Sequence, residues 1–436
     1  MKQYSVKNII IILTTIVISM STAFGQEADS LNHYLEVAAR NNPGLNAKFL
    51  TYKASLERVS QAGAWPDPEL DIGFFLEPME IMGGRQVADF TLMQMFPWFG
   101  TKKAAETEAT HMARMAYEQF RESKDNLFIE VYSQWYSLAS LKQQLKNNRD
   151  NLKLLGQLEE LARQRMSITS STSTQAGASG FSNVLRVQLE AAEIENNIES
   201  IISKIASEKT KFNALLNRPT DYEVVVPDSI VKVSFLFNES KTINEIENHN
   251  PILGMIVEEE QAHRAKSEMD KKMSYPMIGI GLQYMLIGKS SAQSINPVLH
   301  DGMNGMDMIM PMVSISLPIF RNKYKAQQRE SRYMWESAQK NYDNTLNNLH
   351  SDLYRLKHEL DNAERHIALY QKQKNIALSA YQLILQEFVT AKSDLTNVIE
   401  VQRQLLDYRI KEAEAIAEYN TKVAEIKSLR SFTTTN

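Results

Sequence analysis

The chain is written twice, and this duplication limits its fold more than any other feature. Asn42-Pro43 opens a helical stretch that ends at Trp65-Pro66, alternating residues lead to Phe96-Pro97, and a long charged helix starts near Thr101. The second half follows the same order: Asn250-Pro251, a helical stretch to Tyr275-Pro276, alternating residues to Leu317-Pro318, then a long charged helix from about Asn322. The closing parts match as well, because the segment from Ser182 to Gln188 (SNVLRVQ) resembles that from Thr396 to Gln402 (TNVIEVQ). Proline cannot continue a helix and biases its predecessor toward extended backbone, so the prolines mark joints between helix and strand. Each half therefore reads as short helix, two strands, very long helix, break, second long helix. The expected layout is a first repeat over 26–218, with strands at about 69–77 and 86–96 and a helical hairpin at about 101–217. An equatorial linker over 219–240 follows, then a second repeat over 241–428 with strands at about 276–287 and 306–318 and a hairpin at about 322–428, and a tail over 429–436.

The long helices carry coiled-coil spacing. Leu127, Val131, Gln134, Leu138, Leu141, Leu145, Asn148, Leu152 and Leu155 alternate by four and three, as do Leu346, Leu349, Leu353, Leu356, Leu360, Ala363, Ile367 and Tyr370. Only 16 Gly and 12 Pro interrupt 436 residues, which such helices require. A helix from Thr101 to Ser167 would run roughly 100 Å at about 1.5 Å per residue, so an elongated object is expected. The first break, Ser167 to Gly180, reads as a low-complexity polar loop; the second, Glu387 to Asp394, reads as a tight turn.

The strand segments alternate. Leu70, Ile72, Phe74 and Leu76 share one face with Ala88, Phe90 and Leu92, with Ile278, Ile280, Leu282, Tyr284 and Leu286, and with Ile309, Val313, Ile315 and Leu317. The opposite positions hold Asp71, Gly73, Glu77, Asp89, Thr91, Gly279, Gly281, Gln283, Ser314 and Ser316. An apolar outside and a polar inside over about ten residues is the pattern of transmembrane barrel strands. Four strands cannot close around water, so several copies must contribute, and three would give twelve strands. A soluble four-stranded sheet packed on helices would show the same alternation, and a periplasmic coiled-coil spacer would explain the heptads without the strands.

Lys2 and Lys7 precede an apolar run from Ile9 to Ile18, and Ala23-Phe24-Gly25 supplies small residues at the cleavage positions, so residues 1–25 read as a cleaved signal peptide. The run is short of the roughly 20 residues a spanning helix needs, which disfavours the alternative of a retained anchor. No later segment is apolar enough to span as a helix, so entry into a membrane requires a closed barrel. The net charge of -4, with lysine interleaved among glutamate, presents no basic face to nucleic acid. Cysteine is absent, which excludes disulfides, thiolate chemistry and lipid attachment through an N-terminal cysteine. The chain shows no GxSxG elbow, phosphate-binding loop or HExxH. His350, His358 and His366 recur two helical turns apart, too far for one metal ion, and read as a solvated face. No enzyme activity and no cofactor are expected.

On the two Asn-Pro openings, the joints Phe96-Pro97-Trp98-Phe99-Gly100 and Leu317-Pro318-Ile319-Phe320, and the hairpin returns at Phe181 to Gln188 and Leu395 to Gln402, the chain resembles the TolC-like outer membrane efflux proteins. The resemblance covers essentially the whole mature chain. It implies a mainly α-helical protein with a transmembrane β-barrel contribution: a homotrimer whose 12-stranded barrel sits in outer-membrane lipid above a periplasmic helical tunnel. It further implies docking of the hairpin tips onto a periplasmic adaptor (membrane fusion) protein, which links the duct to an inner-membrane pump of the RND type or similar. The adaptor-contacting positions then fall at Phe181, Val184, Phe388, Ala391, Asp394 and Leu395. The family often places a glycine at each hairpin turn three residues after an aromatic; here Phe388 is followed by Ala391. Asp394 reads either as part of a constriction ring or as a helix cap.

The 20 methionines are unevenly placed. Met306, Met308, Met310 and Met312, preceded by Met303, occupy alternate positions on the face of Ser314 and Ser316. Met93, Met95, Met277 and Met285 fall on the same side, with Met79 and Met82 in the neighbouring loop. Thioethers are soft ligands that suit Cu(I), so the spacing raises heavy-metal export, of copper or silver, above multidrug export or type I secretion. On this reading the thioethers line the lumen near the extracellular mouth; the alternative is methionine as an adaptable apolar filler at a barrel neck or loop contact.

Overall fold

The computed structural model describes residues 31–81, 83–169, 174–289, 304–390 and 392–432, with side chains left aside at 168–169 and 174–180. The expected signal peptide, Met82, Met303, Ala391 and the end of the tail lie outside the described residues. Described elements run α1 (Leu31–Asn41), α2 (Pro43–Gly63), β1 (Glu69–Phe74), β2 (Glu80–Ile81), β3 (Gly84–Phe96), α3 (Thr101–Thr169) and α4 (Thr174–Leu215). The second half supplies α5 (Glu239–His249), α6 (Pro251–Met273), β4 (Met277–Gly288), β5 (Met308–Ser316), α7 (Arg321–Val389) and α8 (Leu395–Leu429). Two compact units emerge, each drawn from both halves: Met1–Ala47, Arg121–Asn250 and Asn348–Asn436 form the first, Lys48–Phe120 and Pro251–Asn347 the second.

In the first unit the heptad positions are the core. Leu127, Val131, Leu138, Leu141 and Leu155 of α3 are buried, as are Leu349, Leu353, Leu356, Leu360, Ala363 and Ile367 of α7. The two polar members are accounted for: Gln134 donates to Glu208 of α4, and Asn148 donates 2.9 Å to the Gln144 carbonyl one turn back. The expected loop from Ser167 to Gly180 is corrected to a much shorter break, because α3 continues to Thr169 and α4 begins at Thr174. Each residue added to an existing helix gains a backbone bond, and that propagation overrides the modest helix propensity of serine and threonine.

The Asn-Pro motif has a defined job in each half. Asn42 donates 3.0 Å to the carbonyl of Leu215, the last residue of α4, and Asn250 donates 3.0 Å to the carbonyl of Leu429, the last residue of α8. A helix leaves its last carbonyls without intrahelical partners; here an asparagine from the start of the same half closes each returning helix. Asn42 also accepts from the Leu45 amide at 3.0 Å, capping α2, where Pro43 takes the first helical position and needs no donor.

The segment between the halves is extended but pairs with no strand. Side chains stand in for strand partners: Tyr34 accepts from the Val225 amide (2.9 Å), and Asn213 donates to the Tyr222 carbonyl (2.8 Å). Asn420 accepts from the Val233 amide (2.8 Å) and donates to the Val231 carbonyl (2.9 Å), as a neighbouring peptide would. The β-rich composition of Tyr222 to Pro227 thus gives extended backbone without a sheet.

Replacing the buried Asn250 by alanine leaves the half-buried Leu429 carbonyl without this donor, at an expected cost of about 1–3 kcal/mol. Thermal unfolding of the detergent-solubilised protein should show a lower Tm for Asn250→Ala. Asn248→Ala, which removes only exposed bonds to Asn244, should stay close to the parent.

Candidate functional site

The second unit contains one antiparallel sheet in the order β1-β3-β4-β5, with the two-residue β2 paired to the start of β3. Register aligns the alternation across all four long strands. Leu70, Leu92, Leu282 and Pro311 form one row, and Ile72, Phe90, Tyr284 and Ile309 the next. Phe96, Ile278 and Ile315 form another row toward the helices. Most of these side chains are exposed, with Phe74 at 72% and Val313 at 71%. A contiguous apolar face of this size marks a surface made for something other than water. The alternation carries through a bulge at Val87, where the register shifts between Gln86 and Ala88.

The other face is mixed, and the methionines gather there. Row by row it reads Gly73, Asp89, Met285, Met308; then Asp71, Thr91, Gln283, Met310; then Glu69, Met93, Gly281, Met312; then Met95, Gly279, Ser314; and last Met277 with Ser316. The thioethers form a ladder over five rows. Two glycines make room for it. A Cβ at Gly279 would meet the sulfurs of Met95 at 2.5 Å and Met93 at 3.1 Å, and one at Gly281 would meet the Met93 methyl at 2.8 Å. Both sulfurs thus lie over the groove these glycines cut. Met306 precedes β5 and is exposed. The polar members include Asp89, whose carboxylate accepts from Gln283 at 3.4 Å. Among the described residues no cluster of three His, Cys, Asp or Glu could hold a metal ion. His350 lies 3.7 Å from Glu247, and His366 packs on Tyr370.

Aromatic side chains ring the base of the sheet. Trp98 stacks on Tyr275 at 5.1 Å and Trp65 meets Phe96 edge-on at 5.4 Å, with Phe99 and Phe320 exposed beside the joints. Such rings mark the edges of the apolar band in membrane barrels. No described helix is long and apolar enough to cross a membrane.

In the first unit the two hairpin returns pack against each other. Val184, Phe388 and Leu395 are buried together with Val398 in the core that α3, α4, α7 and α8 share at this end. Of the positions expected to contact an adaptor, these three are buried in the chain and support the tip from inside. Arg165 of α3 donates 2.8 Å to the Phe388 carbonyl and lies 4.6 Å over the Phe388 ring, Arg186 of α4 donates to Thr396, and Arg403 of α8 donates 2.6 Å to the buried Glu190. The Glu190 bond keeps the Arg403 guanidinium charged to higher pH than usual, and burial pushes the Tyr381 phenol up. Asp394 is the N-cap of α8, accepting from the Leu395 amide at 2.7 Å. Phe181 remains exposed, at 56%. It heads an apolar stripe on α4, with Leu185 and Leu189 four and eight residues on and Leu189 at 72% exposure. The sequence signal for the stripe was available, since these residues repeat every four positions beside the buried Val184 and Val187.

Residues 242–430 match the family model described as outer membrane efflux protein. The fold matches that of the outer membrane protein VceC from Vibrio cholerae, at TM-score 0.72 and 14% identity over 92% of this chain and 96% of that one. CusC, whose structures concern folding and transmembrane channel formation, matches at TM-score 0.73 and 14% identity over 93% and 92% of the two chains. By sequence, the second half is similar to the outer membrane efflux proteins, and the fold of the chain is the one seen in these outer-membrane channel structures. A membrane protein from Pseudomonas aeruginosa matches at TM-score 0.72 and 15% identity over 92% and 90%. No curated protein sequence matches the chain.

Removing Arg165 should loosen the tip without unfolding the protein. In Arg165→Ala, amide exchange around Thr390, whose N–H bonds the Gln386 carbonyl at 3.1 Å, is expected to speed up about tenfold for roughly 1.4 kcal/mol of lost local stability. Exchange at Leu138, buried at the middle of α3, should not change.

Proposed function

We propose that three copies of this chain form a passive export duct through the outer membrane, receiving its cargo from an inner-membrane pump through a periplasmic adaptor. The observation that carries this reading is the sheet: one face is apolar and exposed, the other is mixed, and among the described residues β1 and β5 each leave an edge with no strand partner. An open edge is intolerable in lipid, where no water can satisfy the backbone, so the edges must meet those of other copies. Extraction of outer membranes followed by crosslinking and electrophoresis with and without heating tests it. A heat-modifiable trimer is expected; a soluble monomer in the periplasmic fraction would refute it.

The adaptor is assigned to the hairpin tips, each of which lies a full long helix along the chain from its strand joint. The exposed Phe181, Leu185 and Leu189 stripe supports this. Phe181→Glu should abolish export while trimer levels stay normal, and unchanged export would argue against tip docking.

For cargo, the thioether ladder favours soft cations such as Cu(I) or Ag(I) over organic solutes. A metal ion passing an all-oxygen wall would find no soft partner, whereas Met308, Met310 and Met312 lie in successive rows beside Met285 and Met93. Replacing Met306, Met308, Met310 and Met312 together by leucine conserves volume and removes the sulfurs. Copper and silver sensitivity should rise at normal trimer levels; a parent-like response would leave the methionines as packing.

A further inference from the structure

Where β3 and β4 meet the helices, an apolar cleft of about 460 Å³ opens on the apolar side of the sheet, walled by Trp65, Phe96, Trp98, Phe99, Ile278 and Ile280. The volume falls in the ~300–1,000 Å³ range of sites that hold small organic ligands. Its walls are continuous with the exposed apolar rows, because Phe96 and Ile278 are in register with each other and with Ile315. Its rim is cationic. Lys102 and Lys103 follow Thr101 at the start of α3 and line the cleft. Lys272 reaches the same corner, donating 3.3 Å to the Gly100 carbonyl. Lys102 lies 3.4 Å above the Trp65 ring, and neither Lys102 nor Lys103 forms an ion pair among the described residues. The positive end of the α3 dipole points to the same rim. β3 and β4 are the inner strands of the order β1-β3-β4-β5, so the cleft lies away from the two edges that further copies of the chain would occupy.

An apolar trough opening onto a lipid-facing surface, with unpaired ammonium groups at the level of an aromatic ring, has the chemistry of a lipid seat. We infer that the cleft binds an anionic phospholipid of the periplasm-facing leaflet, one acyl chain lying between Trp65 and Ile280 and the phosphate held by Lys102 and Lys103. This rests on the outer-membrane reading of the sheet. Lysine suits the role because its alkyl stem packs on the aromatic wall while the ammonium stays at headgroup level.

Native mass spectrometry of the detergent-solubilised, assembled full chain tests the site, with 1-palmitoyl-2-oleoyl phosphatidylglycerol, the phosphatidylcholine of the same chains, and inorganic phosphate as separate additions. Phosphatidylglycerol adducts should persist at lower lipid concentration than phosphatidylcholine adducts, and phosphate alone should leave none. In the double variant Lys102→Gln, Lys103→Gln the phosphatidylglycerol preference should fall about tenfold or more, and Trp65→Ala should weaken retention of both lipids. Equal retention of the two lipids by the parent, or a preference unchanged in the lysine variant, overturns the proposal; so does retention of phosphate without lipid. Heating the same samples before electrophoresis separates the two readings. Intact heat-modifiable trimers without a lipid preference refute the lipid seat alone, while a chain that never assembles in membranes refutes the channel.

Discussion

Backbone hydrogen bonding in a medium without water is the constraint on which everything else here depends. A sheet that exposes leucine, isoleucine and phenylalanine on one face gains by meeting hydrocarbon, but hydrocarbon leaves the peptide groups along β1 and β5 with no partner. Neither solvent suits the lone chain: water is wrong for the face, lipid is wrong for the edges. The proposed assembly of copies would resolve both, and the polar residues and methionines of the opposite face would then line whatever space the closed sheet encloses.

The helical unit answers the same accounting by different means. Its helix ends are closed by Asn42 and Asn250, and its extended middle segment is held by Tyr34, Asn213 and Asn420 instead of by strand pairing. Side chains used this way satisfy backbone groups without creating another sheet edge, which a protein already carrying two such edges has reason to avoid.

Much of this was legible in the sequence because it is periodic. The heptads located the seam, the period of two located both faces of the sheet, and the prolines located the joints. What escaped was set by tertiary contact. Serine and threonine from Ser167 to Gly180 read as a loop, yet helix propagation on a packed hairpin claims all but a few of them. Phe388, Leu395 and Val184 looked like contact residues because they sit at a turn, and they are buried because two hairpin returns pack on one another there. The pairing of Arg165 with Phe388, 223 residues away, has no local signature at all. The methionine ladder was half visible: alternation put the thioethers on one face, but only the register shows Met93 and Met95 gathered over Gly279 and Gly281.

Each half of the chain is a hairpin of strands followed by a hairpin of helices with its own asparagine clamp, and the halves join through the antiparallel pairing of β3 with β4. Strand direction alternates along the order β1-β3-β4-β5, so β5 of one copy would meet β1 of the next as an antiparallel pair too. The joint inside the chain is then the same kind of joint as the one between chains, made covalent by the linker. A half-length ancestor ending near Leu215 would already have held everything needed to close a ring, at twice the number of copies. Duplication would have let the two halves drift apart in sequence, and so let a ring of identical parts acquire two kinds of tip.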